Sequence, residues 1–111
     1  MAQVQVVINQ VGPLPITQTF TSEIDMEAML FVSGSVWSND ANQMIGIEVL
    51  LDGEALGAAE IFSNGATTHR AVVPQYIPIN LTIGDHTITL QASTGETVSD
   101  YNDFYRVLVH L

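Results

Sequence analysis

Short apolar or alternating runs, cut at close intervals by Gly, Pro, Asn and Asp, fill this chain of 111 residues. Their period is two rather than 3.6. Val4, Val6 and Ile8 alternate with Gln3, Gln5 and Asn9, and His86-Thr87-Ile88-Thr89-Leu90 alternates as cleanly. A period of two sends successive side chains to opposite faces, which specifies strands and leaves helix almost no sequence to occupy. The spacing predicts strands over 4–8, 16–21, 29–38, 45–51, 55–62, 68–73, 86–90 and 104–111. Residues 22–27 (SEIDME) read as a connecting loop or a single helical turn, and Gly34 marks a bend or bulge. Asp52-Gly53 favours the positive φ angles of a tight hairpin. Pro74 and Pro78 confine 75–80 to an edge or a loop. About eight short strands at regular spacing imply one all-β domain over 1–111, an antiparallel β-sandwich of jelly-roll type.

Two of these strands are apolar on both sides. In the third, Leu30, Val32 and Val36 face one way while Met29, Phe31 and Trp37 face the other. In the last, Phe104 and Leu108 oppose Tyr105, Val107, Val109 and Leu111. An antiparallel strand with one wet face should be polar on that face. Something must therefore cover the second side, either a folded-over loop or another copy of the chain. A mean hydropathy of +0.28 favours self-association.

Charge removes several functional classes. There are twelve Asp and Glu against two Arg and no Lys, a net charge of -10. Nucleic acids and anionic membranes need basic stripes that this chain lacks. Without lysine there is no Schiff-base chemistry and no P-loop; without cysteine there is no disulfide, thiolate nucleophile or thiolate-bound zinc. No apolar run approaches the ~18 residues of a membrane span, and residues 1–10 carry no classical signal peptide. Either the protein is cytoplasmic or exported without a classical signal, or the sequence is a mature or excised domain; the compartment stays open.

Leu81-Thr82-Ile83-Gly84-Asp85-His86-Thr87-Ile88-Thr89-Leu90, followed by an aromatic-led final strand, resembles the last third of C1q/TNF-like jelly rolls. Val49-Leu50-Leu51-Asp52-Gly53-Glu54-Ala55-Leu56-Gly57 resembles a hairpin common in β-sandwich carbohydrate-binding modules and bacterial lectins. Together they cover roughly a quarter of the chain. The resemblance implies a non-catalytic binding module, trimeric in many C1q/TNF cases.

The polar residues cluster in loops. Asp100, Asn102 and Asp103, in the loop before the last strand, offer the hard oxygens that Ca²⁺ takes, although turn chemistry alone also selects Asp and Asn. Asn39 and Asp40 follow Trp37 in a second such loop. Trp37 beside these amides and carboxylates, and Tyr101 between Asp100 and Asn102, are combinations that hold a saccharide, with sugar C–H faces on the rings and hydroxyls on the polar groups. Trp37 also reads as a core plug. His69 and Arg70 are the one place where two cations adjoin; Arg70 is a candidate for an anionic or hydroxylated ligand. Arg106, mid-strand among apolar neighbours, suggests an ion pair. His69, His86 and His110 share no metal-binding spacing. No nucleophile elbow or persuasive triad is present, and so short a sandwich has little wall for a catalytic cleft.

Two functional classes remain. One is a lectin-like module that binds carbohydrate through its end loops, multiplied by oligomerisation. The other is a structural or assembly subunit, virion- or surface-associated, whose apolar sheet face makes the contacts.

Overall fold

The computed structural model describes residues 3–111. Nine strands are present among the described residues: β1 (Val4–Val11), β2 (Ile16–Ser22), β3 (Met26–Val36), β4 (Gln43–Leu51), β5 (Glu54–Ser63), β6 (Arg70–Ala71), β7 (Gln75–Leu81), β8 (Gly84–Ala92) and β9 (Phe104–His110). Every pairing is antiparallel. One sheet runs β1-β9-β3, with β7 and β6 sharing the far edge of β3; the other runs β2-β8-β4-β5. The chain crosses between sheets at β1–β2, β2–β3, β3–β4, β5–β6, β7–β8 and β8–β9, which makes the sandwich a jelly roll.

The inner faces follow from the alternation. Leu30, Val32, Val36, Tyr105, Val107 and Val109 come from the first sheet, and Ile45, Ile47, Val49, Ile88 and Leu90 from the second. All are fully buried, each aliphatic contributing about 1.5–3 kcal/mol relative to exposure. Asp52 (φ 51) and Gly53 (φ 86) make the tight turn between β4 and β5.

One local expectation is settled and three change. Of the two alternatives for residues 22–27 the connecting loop holds, shortened to 23–25 because Ser22 ends β2 and Met26 starts β3. Gly34 shows no bulge: the β3–β9 register runs unbroken up to it and ends on its pairing with Tyr105. A Cβ there would sit 2.7 Å from the Phe104 carbonyl oxygen and 2.8 Å from Ile47 Cδ1, so close packing demands glycine. The 68–73 strand shrinks to Arg70–Ala71, because the neighbouring amides of Val72 and Val73 bond to Gly34 and Glu60, on different strands. Arg106 makes no ion pair: it is exposed opposite Asn9 and Ser33, and no carboxylate lies within ion-pair distance among the described residues.

The two outer faces differ in chemistry. On the second sheet, Thr17 meets Thr89, Thr21 donates to Asp85, and Gln91 donates to Glu48. On the first, exposed Val4, Val6, Met29, Tyr76 and Phe104 surround half-buried Phe31 and Leu108. Phe31 stacks obliquely on Tyr76, their ring centroids 5.0 Å apart. Both sides of β3 and β9 are therefore apolar, and no segment among the described residues is folded over the outer one.

Candidate functional site

Antiparallel pairing delivers the end of β3, the 64–69 connection and the loop before β9 to the same end of the sandwich. Trp37 leaves β3 and forms a bridge with Val98, exchanging two backbone hydrogen bonds (2.9 and 2.7 Å). That bridge sets where the 98–103 loop begins. Thr67 donates its amide to the Ser38 carbonyl at 2.7 Å, which ties the 64–69 connection to the loop after Trp37. Thr67 adopts φ 59, a left-handed conformation rare for a β-branched residue and costing about 1–3 kcal/mol.

Asp103 organises the cluster. It is fully buried, and its carboxylate is saturated with donors. Oδ1 accepts from the Ser35 hydroxyl (2.8 Å) and lies 2.7 Å from His69 Nδ1, while Oδ2 accepts the Asp100 amide (2.9 Å). Ser35 Oγ also accepts the Phe104 amide, and the Asp103 carbonyl accepts the Gly12 amide. Because a carboxylate only accepts, His69 Nδ1 is the donor of this contact, so the neutral ring has its lone pair on Nε2. His69 Nε2 then faces Asp100 Oδ2 at 3.8 Å, beyond hydrogen-bond reach. One oxygen of Asp100 caps the Asn102 amide (2.8 Å) and the other remains open. The Trp37 and His69 rings are 5.7 Å apart. Burial pushes the Tyr105 phenol up to about 12; the Ser99 hydroxyl opposes this, and the Asp103 and Asp100 charges add to it.

His69, Asp100, Asp103 and Trp37 thus converge, although His69 and Asp103 are 34 residues apart. His69, Asp100 and Asp103 bring one imidazole nitrogen and two carboxylate oxygens within 4.8 Å of one another, although both oxygens of Asp103 already accept hydrogen bonds. Asn102, placed in the calcium set by sequence, enters through its backbone amide rather than its side chain. Tyr101 is the most exposed large side chain of the loop at 79 %, and a Cβ on Gly12 would touch its ring. Asn39 and Asp40 are exposed in the loop tied to Thr67; the Asp40 amide bonds Ser38 Oγ. Arg70, half-buried on β6 beside His69, has no ion-pair partner among the described residues. Sequence reasoning missed Ser35, a strand hydroxyl that nothing in the sequence sets apart from Ser33 two positions earlier. A separate cavity of about 220 Å³ lies at the opposite end, among Phe20, Ile24, Met26, Leu81 and Leu111, and shares nothing with this cluster.

No family model matches the chain, and a search of curated proteins finds no relative. Solved structures do share its fold. A family 35 carbohydrate-binding module from an environmental isolate superposes with a TM-score of 0.56 at 14% identity, over 94% of this chain and 69% of that one. Eiger TNF from S. frugiperda gives 0.64 at 9% identity, over 97% and 92%. A β-glucosidase from Paenibacillus barengoltzii gives 0.59 at 16% identity over 96% of this chain, which spans only 10% of the enzyme's length. The resemblance to carbohydrate-binding modules and to TNF-like jelly rolls therefore holds at the level of the fold.

Proposed function

We propose that this chain is a non-catalytic carbohydrate-binding module whose site is the end of the sandwich built around Trp37, His69, Asp100 and Tyr101. The observation that carries this is the meeting of aromatic faces with unspent polar atoms. Trp37 lies against His69, Tyr101 stands in solvent, and His69 Nε2 and one oxygen of Asp100 have no hydrogen-bond partner. A pyranose presents C–H faces to rings and hydroxyls to such acceptors. Strained Thr67 supports the reading, since backbone cost of this kind gathers at binding loops. The module-like proportions of the fold in longer carbohydrate enzymes support it too. A glycan array with labelled protein, followed by calorimetry on the best oligosaccharide, tests it. Tyr101→Ala, a fully surface change, is expected to weaken binding ~10-fold, about 1.4 kcal/mol. Absence of any glycan binding at millimolar concentration rejects the proposal, and repeating the titration in EDTA reads whether a cation takes part.

A second reading, self-assembly, has its own support in the outer face of the first sheet. Of the twelve carboxylates, only Glu27 falls on its five strands, β1, β3, β6, β7 and β9. An acidic protein that keeps all but one of its carboxylates off a largely apolar sheet leaves that sheet able to meet its like with little repulsion. The assembly would be a homo-oligomer, a trimer if the TNF-like resemblance extends that far. Native mass spectrometry is expected to give a multiple of 12.0 kDa, and Phe31→Asp to give the single chain. A monomer at high concentration rejects this reading while leaving the glycan site untouched.

A further inference from the structure

We infer that His69 Nε2 and Asp100 Oδ2 together hold a divalent transition-metal ion of the zinc class, with Asp103 behind them as a positioning residue. The proposal does not require that the loops bind sugar, but it takes the same two acceptors, so with the ion in place a sugar would meet the ion rather than those atoms. Its first support is the separation of the two atoms. With Asp103 taking the Nδ1 proton of a neutral ring, Nε2 presents a lone pair, and Asp100 Oδ2 presents another. Two bases facing each other at 3.8 Å are too far apart to share a proton. They are well placed to share an ion with bonds of ~2.1 Å each. A buried carboxylate accepting the far N–H of a metal-binding imidazole is the usual arrangement for fixing tautomer and ring direction. Ser35 and the Asp100 amide in turn fix that carboxylate.

A second, independent sign comes from unpartnered polar atoms on the same cluster. The Tyr105 hydroxyl belongs to a fully buried side chain, lies in the field of Asp100 and Asp103, and makes no well-formed hydrogen bond. Trp37 Nε1, on the ring beside His69, is buried and equally unpartnered. Both atoms carry hydrogens and neither is a ligand, so what they point to is a bound water beside the cluster, of the kind that completes an ion's coordination shell.

The donor set selects the metal. Calcium takes 6–8 oxygens, whereas this cluster offers one imidazole nitrogen and one free carboxylate oxygen, the rest being spent on hydrogen bonds. An imidazole favours zinc, nickel or copper. Competition from the other imidazoles is small: both nitrogens of His86 are engaged, by Asp52 and Thr82, and His110 Nε2 is buried. With both ligands partly exposed, the remaining coordination positions open to solvent.

The test is calorimetric titration of EDTA-stripped, full-length protein with Zn²⁺ and, separately, Ca²⁺. We expect one Zn²⁺ per chain, bound at least ~10-fold more tightly than Ca²⁺. His69→Ala and Asp100→Asn should each weaken zinc at least ~10-fold, and His110→Ala should leave it unchanged. Nitrogen-15 shifts of the imidazole rings supply a readout that a purely structural effect would not move. Zinc should shift His69 Nε2 alone, and Asp103→Asn should abolish the single Nδ1–H tautomer. Zinc binding no tighter than calcium, binding that survives both ligand substitutions, or a His69 signal unmoved by zinc would each overturn the assignment.

Discussion

Asp103 shows how much a single buried carboxylate can decide. It joins β3 through Ser35, the 64–69 connection through His69, and its own loop through the Asp100 amide. Asp103→Ala strands these donors in a dry site, so we expect a loss of about 3 kcal/mol, read as a lower urea midpoint with unchanged slope. An unchanged midpoint would show that water replaces the carboxylate freely. A second histidine–aspartate pair stands on the other sheet. The carbonyl of Thr82, then the Asp52 hydrogen bond and charge, raise the pKa of buried His86 above 6.5, outweighing burial. Burial pushes Asp52 upward, but the His86 hydrogen bond, the Thr87 amide and the His86 charge together hold it below 3.8. The signs set the window. The contribution of His86 is complete below pH 6.5 and is lost as pH climbs through its raised value; that of Asp52 is complete above 3.8 and is lost as pH falls through its lowered value. Melting curves from pH 3 to 9 should show wild type declining relative to His86→Gln as pH rises beyond 6.5, whereas parallel curves would remove the pair from the pH response. Little of this was legible beforehand. Asp100, Asp103, Trp37 and His69 were each singled out by residue type, but partners 34 positions apart leave no spacing signal, and Ser35 looked like an ordinary strand residue.

At the scale of elements, alternation located most strands because burial on one face enforces a period of two. It failed where pairing depends on a neighbour rather than on the strand itself. Residues 68–73 have the composition of a strand, yet only Arg70 and Ala71 reach β3, at Val36 and Ser35, because β7 occupies the rest of that edge. Pro78 was informative for the opposite reason: lacking an N–H, it belongs on an edge, and β7 is one. Gly34 was misread because a bulge glycine and a close-packing glycine look alike in sequence. Gly34→Ala separates the two. A Cβ 2.7 Å from the Phe104 carbonyl forces β9 away from β3, so we expect about 1–3 kcal/mol of destabilisation, visible as a lower melting temperature. A bulge glycine at ordinary φ would have cost a few tenths or nothing, so a neutral substitution contradicts the close packing.

For the whole molecule, the governing fact is where the charge lies. A body of 45 × 24 × 19 Å carries a net charge of -10, and all its carboxylates but Glu27 gather on the second sheet and the loops, off the strands of the first. Intrachain repulsion and association therefore respond to salt in the same direction but through different surfaces. Raising ionic strength from ~10 mM to ~150 mM shortens the screening length from ~30 Å to ~8 Å, less than any dimension of the body. Relief of about 1 kcal/mol of self-repulsion would raise the melting temperature by ~4 °C. If the first sheet also pairs between copies, salt adds a further gain that grows with protein concentration, since association linked to folding is concentration-dependent. Phe31→Asp places a charge in that face and should remove the concentration-dependent part while leaving the intrachain part intact. A salt response independent of protein concentration in the wild-type chain would assign the entire effect to intrachain repulsion, and the apolar face would then be exposed on a lone subunit.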